Sequence, residues 1–206
     1  MRVFLLRHAR SVSNERCVWT GQTDSELSRS GADRQLEICS RCEYPRGGLY
    51  FSSPLKRCAS SLEIVYGRAA DYFLPEFMEC SLGTLEGKKY TNLDDDANYL
   101  RWIGAPDFGE FGGESFNEFT GRVRRGFLKM AGICDREGIS SAVAVLHGNV
   151  MRAILHRFVD SSRPHRFWDI PNCGGYLFDF VEGAQKPPLY EKLPGFLFGP
   201  AVDREL

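Results

Sequence analysis

The chain has 206 residues, of which 43% are hydrophobic and 26% are charged, which is enough for one well-packed core and too little to suggest two. The formal net charge of −1 offers no global positive field, so we expect neither nucleic acid nor a membrane as a partner. The apolar run at residues 3–6 is far shorter than a membrane span. Seven irregularly spaced cysteines without a secretory signal predict free thiols and a cytoplasmic protein.

Short apolar runs alternate with helical patterns along the chain. The runs predict strands at 2–6, 49–52, 142–146 and 176–181, and the periodic segments predict helices at 28–42, 55–66, 116–135 and 150–159. Strands that are separated by helices pair in parallel and are covered on both sides. The predicted fold is therefore an α/β three-layer sandwich with a mostly parallel central sheet and helices on both faces.

Residues 88–114 interrupt this alternation with an acidic run at 94–96 and several glycines. Such a stretch predicts a lid-like excursion over the sheet within a single domain, 1–206. The tail from residue 183 contains four prolines, which predict an extended wrap with one short strand around Tyr190.

Candidate functional residues follow the predicted strands, where a parallel sheet binds its ligands. His8 follows the first strand and His147 follows the 142–146 strand, while Arg57 lies just after the 49–52 strand. Arginine forks match phosphate oxygens, and helix starts add backbone N–H donors. Together with Arg7 and Asn14, these side chains predict a local positive pocket for an anion in a nearly neutral protein.

Several short motifs occur in a fixed order around these residues. They are RHARSVSN at 7–14, GQTDSELSRSG at 21–31, SSPLKRC at 52–58, ECSLGTLEG at 79–87, GGES at 112–115 and HG at 147–148. In this order and spacing they resemble the histidine phosphatase superfamily, in the branch of phosphoglycerate mutases and small-molecule phosphatases. The resemblance covers residues 2–180 and implies a phosphoglycerate mutase-like sandwich.

The resemblance also implies a mechanism. His8 would attack phosphorus, the alcohol would leave, and water would hydrolyse the phosphohistidine. An imidazole is a nucleophile only when neutral, so we expect a backbone carbonyl to hold its other N–H. Arg7, Arg57 and His147 would bind the phosphoryl oxygens and stabilise the transition state. Glu79 matches the family's acid, which would protonate the departing oxygen.

The resemblance assigns substrate binding to a second group of residues. Asn14, Thr20, Gly21 and Gly148 match positions that contact the phosphate. The alternative interpretation makes Thr20 and Gly21 simple turn residues and Glu79 a surface carboxylate that begins a turn. Ala9 departs from the family's glycine, at a cost of about 1 kcal/mol if that position needs positive φ. Phe111 stands in place of a common proline and is expected to matter less.

Other chemistries fit the sequence less well. Metal ligands at close spacing, a P-loop and a cysteine followed six residues later by arginine are all missing, so we expect no metal and no cofactor. The expected enzyme is a phosphatase of a small phosphomonoester, with α-ribazole phosphate or a sugar phosphate as candidate substrates. Residues 19–24 and 85–87 resemble the bacterial α-ribazole phosphatase of cobalamin synthesis.

Two alternatives and the oligomeric state stay open at this point. A cofactor-dependent phosphoglycerate mutase is the enzymatic alternative, because HGN at 147–149 resembles the mutase form of that motif. A mutase carries extra basic residues in its central excursion, whereas the excursion at 88–114 in this chain is acidic and has Arg101 as its only arginine. A catalytically inactive phosphate-ligand regulator is the alternative of another class. The sequence is compatible with a homodimer.

Overall fold

The sheet and its flanking helices follow the predicted alternation closely. The computed structural model describes residues 1–90, 106–183 and 188–192. In chain order its elements are β1 Arg2–Arg7, α1 Val12–Glu15, α2 Arg29–Arg41, β2 Leu49–Ser52, α3 Lys56–Tyr66, β3 Tyr72–Phe73, α4 Phe116–Arg136, β4 Ser141–Leu146, α5 Gly148–Phe158, β5 Gly175–Asp179 and β6 Tyr190–Lys192. The four main strands and four main helices begin and end within two residues of their predicted bounds, and β6 confirms the short strand around Tyr190.

The strands form one mixed sheet in the order β3-β2-β4-β1-β5-β6. The pairs β1–β4, β2–β4 and β2–β3 are parallel, whereas β5 runs antiparallel to β1 and β6 antiparallel to β5. β5 is reversed because the chain returns after α5 to the end of β1, where Cys173 N donates to Arg7 O at 3.2 Å. The predicted, mostly parallel sandwich is confirmed.

Alternation along β1 gives the sheet a separate core on each face. Val3 and Leu5 pack on the side of α4 and α5, and Phe4 and Leu6 pack on the side of α2 and α3; all four are at most 1% exposed. Phe127 of α4 stacks on Phe158 of α5 with ring centroids 4.2 Å apart. Both faces are therefore closed by packed helices, and polar groups that need a ligand are left to the sheet's ends.

The carboxyl ends of β1, β2 and β4 lie side by side at one edge. Each strand is followed within a few residues by a helix: α1 after β1, α3 after β2 and α5 after β4. Ser11 caps α1, where its side chain accepts from Asn14 N. This edge collects helix N-termini, whose N–H groups and dipoles favour an anion.

The predicted excursion is described only at its two ends. Lys89 pairs with Val18 in an isolated antiparallel bridge, and Gly109–Phe111 form a single 3-10 turn. The acidic run at 94–96, Arg101 and the prolines at 187, 194 and 200 lie outside the described residues. Within the ranges given above, no helix is long and apolar enough to cross a membrane.

Candidate active site

His8 sits buried at the end of β1 with a defined tautomer. Its Nδ1 lies 2.6 Å from the Ala9 carbonyl oxygen, to which it must donate, so the lone pair is on Nε2. The His8 carbonyl in turn accepts from Asn172 Nδ2 at 2.8 Å. The structure thus contains the backbone carbonyl that the sequence led us to expect beside this imidazole.

His147 faces His8 across the same edge. The two ring centroids are 5.1 Å apart, with an interplanar angle of 65°. Arg57 Nε donates to His147 Nδ1 at 3.2 Å, so the proton of a neutral ring is on Nε2, which lies 2.8 Å from Ser53 Oγ. Arg57 therefore fixes the tautomer of His147 from the neighbouring helix, α3.

Burial and positive charge keep both imidazoles neutral. Burial is the main reason that the pKa of His8 lies well below 6.5, with Arg57 and Arg7 lowering it further against the opposing hydrogen bond to Ala9. Burial, then Arg57 and His8, hold the pKa of His147 well below 6.5 in the same way. A neutral imidazole keeps the lone pair that a nucleophile needs.

The two arginines reach the site from different elements, Arg7 from the end of β1 and Arg57 from the first turn of α3. Arg7 NH1 donates to the Ile170 carbonyl at 2.6 Å, whereas its Nε is buried without a hydrogen-bond partner among the residues described. Burial, followed by the charge of Arg152, lowers the pKa of Arg7 to about 10, and burial also lowers that of Arg57. A buried donor without an acceptor is costly, and a bound anion is the kind of group that satisfies it.

Arg57 and Gly148 connect the motifs to one another. Arg57 NH2 donates to Gly21 O at 2.8 Å and its NH1 to Thr23 O at 2.9 Å, so the 21–31 motif is held against the site. A Cβ at Gly148 would lie 3.6 Å from both Cζ and Nε of Arg7. A side chain at position 148 would therefore cover part of that guanidinium.

Glu79 lies beside the start of α5. Its Oε1 accepts from Cys80 N at 2.8 Å and its Oε2 accepts from Asn149 N at 3.2 Å, two residues after His147. The residue is 9% exposed, and its charge raises the pKa of both Arg7 and Arg57. The carboxyl group is thus within electrostatic range of the two arginines.

The other residues predicted to bind substrate differ in whether they have a hydrogen-bond donor available for a ligand. Asn14 Oδ1 accepts from Ser11 N at 3.1 Å in the helix cap, which leaves the NH2 end of its amide as the donor for a ligand. Thr20 Oγ1 donates to Val18 O at 3.0 Å, so its hydroxyl proton is engaged within a turn. A Cβ at Gly21 would lie 2.2 Å from Cys80 O, so close packing alone requires glycine there.

Ala9 fits its position without strain. Cys17 and Cys173 are the non-glycine residues that have positive φ in the described part of the chain, so Ala9 does not incur the glycine-related cost. Its side chain is fully buried, and its N–H donates to Ser61 Oγ at 2.9 Å. The methyl group is accommodated by the core beneath the site.

Sequence reasoning missed several supporting residues. Ser61, Asn172 and Tyr90 contact or approach the predicted residues. Ser53 belongs to the 52–58 motif, but its contact with His147 was not predicted. Ser61 Oγ also donates to Arg57 O at 2.6 Å. Its position four residues after Arg57, on the same face of a predicted helix, is the signal that could have found it.

No group of three or more histidine, cysteine, aspartate or glutamate side chains is disposed to hold a metal ion in the portion that the structure describes. The groups that do converge are two neutral imidazoles, two arginines and one carboxyl. This set, at the carboxyl edge of an α/β sheet, is typical of a site that binds a phosphoryl group and offers a neutral imidazole as a nucleophile.

Comparison with known proteins gives the family. The family model described as "Histidine phosphatase superfamily (branch 1)" matches residues 3–190, and the chain belongs to that family. It is 25% identical over 197 residues to a broad-specificity phosphatase of Saccharomyces cerevisiae, covering 90% of this chain and 82% of the yeast protein. It is 23% identical over 168 residues to the adenosylcobalamin/α-ribazole phosphatase of Salmonella typhimurium, covering 77% and 80% of the two chains.

A crystal structure described as a phosphoglycerate mutase from Thermus thermophilus is 26% identical to this chain. It superposes with a TM-score of 0.64 and covers 94% of this chain and 99% of that one. The predicted family and the phosphoglycerate mutase-like fold are thereby confirmed, whereas the roles of individual residues stay predictions.

Proposed function

We propose that the protein hydrolyses small phosphomonoesters through a phosphohistidine on His8. The observation that carries the proposal is the hydrogen bond from His8 Nδ1 to the Ala9 carbonyl, which directs the lone pair to Nε2 of a neutral ring between two arginines. Membership of the histidine phosphatase superfamily and the phosphatase names of the yeast and Salmonella relatives support the same reaction.

The reaction proceeds in two balanced steps. His8 Nε2 bonds to phosphorus with its lone pair as the P–O ester bond breaks, and the departing oxygen takes a proton from Glu79. Water then bonds to phosphorus, the P–N bond returns its electrons to Nε2, and the Glu79 carboxylate takes the proton from water. Arg7, Arg57 and His147 stabilise the phosphoryl charge in both steps, with Asn14, Thr20, Gly21 and Gly148 around the phosphate.

Trapping the intermediate tests this proposal. Protein quenched in base during turnover of p-nitrophenyl phosphate should carry a phosphate that mass spectrometry places on His8 and that acid removes. His8→Ala should lose both label and activity, whereas His156→Ala, outside the site, should keep both. Label on a cysteine or aspartate, or full activity in His8→Ala, would end the proposal.

The substrate is proposed at the level of a class. α-Ribazole phosphate and sugar phosphates are the candidates, supported by residues 19–24 and by the name of the Salmonella relative. The mutase alternative is supported by HGN at 147–149 and by the name of the Thermus structure. Incubation with 3-phosphoglycerate and bisphosphoglycerate separates the two: 2-phosphoglycerate would indicate a mutase, and free phosphate a phosphatase.

A catalytically inactive regulator would bind phosphate esters without turnover of any of them.

We further propose a cytoplasmic protein that works without metal or cofactor and has neither nucleic acid nor membrane as a partner. The chain could also form a homodimer, which the mass of the protein in solution would show.

A further inference from the structure

Arg122 lies on the second turn of α4, and its side chain is only 15% exposed. All five of its guanidinium N–H groups donate hydrogen bonds within the protein. Its NH1 donates to Glu76 O and Met78 O, both at 2.8 Å, and its NH2 donates to Glu79 O at 3.1 Å. The remaining two donors form a bidentate pair with Glu114 at 2.7 and 2.6 Å. One side chain therefore binds three backbone carbonyls of the segment that ends at Glu79.

Glu114 completes the contact from the other side. Its Oε2 accepts from Ser81 N at 2.9 Å, and its own N–H donates to Ser81 O at 3.0 Å. A Cβ at Gly113 would lie 2.3 Å from Ser81 O, and one at Gly83 would lie 2.0 Å from Phe111 O. The two loops thus approach so closely that only glycine fits, which gives the GGES motif a physical reason that the sequence alone did not supply.

We propose that the Arg122–Glu114 pair is a positioning device for Glu79, an inference that rests on the proposed role of Glu79 as the general acid. The Glu79 carboxyl group is held by two backbone N–H groups, from Cys80 and Asn149, and these bonds require its own backbone to stay in place. Arg122 holds that backbone at residues 76, 78 and 79.

A general acid acts only within hydrogen-bond reach of the departing oxygen. Removing the guanidinium leaves the Glu76 and Met78 carbonyls without a donor. It also leaves the Glu79 carbonyl with only the bond from Gln22 Nε2 and the Glu114 carboxylate with only the bond from Ser81 N, so the 76–81 segment should shift. A displacement of about 1 Å can cost about 10²-fold in rate. The loss should fall on proton donation and spare the phosphate-binding arginines, to which Arg122 makes no hydrogen bond in the residues described.

The test compares leaving groups. Arg122→Met should lower kcat/KM for an alkyl phosphate such as glycerol phosphate by about 10²-fold, while kcat/KM for p-nitrophenyl phosphate, whose anion leaves without a proton, should change far less. Arg122→Lys, which keeps the charge and part of the hydrogen bonding, should recover part of the alkyl activity. Arg124→Met, an exposed arginine of the same helix, is the matched control and should resemble wild type.

A double-mutant cycle then identifies the route of the effect. In a Glu79→Gln background, Arg122→Met should cause little further loss of kcat/KM on the alkyl phosphate, because the side chain that Arg122 positions no longer has an acidic proton to donate. Fully additive losses, or equal losses of Arg122→Met on both substrates, would overturn the proposal. If Arg122→Met does not fold, Glu114→Gln, which keeps size and most hydrogen bonds, should show a smaller loss of the same selectivity.

Failure of the proposed function gives a different result. A wild-type protein that carries no label on His8 would overturn the phosphohistidine itself. If Glu79→Gln lowers kcat/KM equally for the alkyl phosphate and for p-nitrophenyl phosphate, Glu79 is not the acid, and the positioning proposal falls with that role. If Glu79→Gln lowers kcat/KM mainly for the alkyl phosphate but Arg122→Met lowers it equally for both substrates, the positioning proposal alone is overturned.

Discussion

Replacing Ser61 by alanine should destabilise the protein and weaken catalysis, although the family motifs assign no role to Ser61. Ser61 Oγ accepts from Ala9 N at 2.9 Å and donates to Arg57 O at 2.6 Å, and both Ser61 and Ala9 are fully buried. Ser61→Ala leaves the Ala9 N–H without a partner and out of reach of water. A buried unsatisfied donor costs about 1–3 kcal/mol.

The same change should reach the nucleophile. The Ala9 carbonyl holds Nδ1 of His8, so movement of the Ala9 peptide would loosen the imidazole that attacks phosphorus. We expect kcat/KM to fall on alkyl and aryl phosphates alike, because the defect lies at the nucleophile and not at the acid. This shared loss distinguishes Ser61→Ala from variants of Arg122.

Thermal unfolding and steady-state kinetics measure both effects. For a chain of this length 1 kcal/mol corresponds to about 2–4 °C, so the Tm should fall by roughly 2–12 °C. Ser60→Ala, at the neighbouring and partly exposed position of α3, is the control and should stay close to wild type. A Ser61→Ala protein with wild-type Tm and kcat/KM would refute the reasoning.

Two further predictions concern pH and metals. Because the pKa of His8 lies well below 6.5 in the folded protein, the unfolded chain binds a proton there that the folded chain does not, and stability should fall as the pH drops below 6.5. Wild type should lose up to about 1.4 kcal/mol per pH unit more than His8→Gln in urea titrations between pH 6.5 and 5, with His156→Gln as control; equal slopes would contradict this. Activity should survive EDTA, and its loss with recovery by one divalent ion would refute metal independence.

The elements and the reacting groups could be predicted because hydrophobic periodicity and short motifs are read from neighbouring residues. β1 and β4 are nearly continuous apolar runs, and α4 shows a regular apolar stripe, so their bounds were found within one residue. β3 is two residues long and α1 is four residues long, which is too short for any period to show.

The support around the nucleophile could not be predicted in the same way. The partner of the Ala9 N–H is 52 residues away, and the partner of the His8 carbonyl is 164 residues away. Helical spacing could relate Ser61 to Arg57, but no local pattern pairs Ser61 with Ala9 or Asn172 with His8, because these contacts exist only once the sheet has brought its loops together. The resemblance could name the reacting groups but not the residues that orient them.

The two glutamates of the 79–87 motif show how the fold divides identical side chains between roles. Glu86 accepts from the backbone N–H groups of Gln22, Thr23 and Leu82 and from the Thr23 hydroxyl. Burial alone would raise the pKa of Glu86, but the Thr23 hydroxyl and these N–H groups outweigh it, and the pKa lies below its ordinary value. A carboxylate held in this way organises the loop and is poorly suited to carry a proton. Within the described residues Glu79 accepts two backbone N–H bonds, against the four hydrogen bonds that Glu86 accepts, and it lies within electrostatic range of the two arginines where the phosphate is proposed to bind. The position of Glu79 beside these arginines therefore supports the proposal that Glu79, and not Glu86, is the acid.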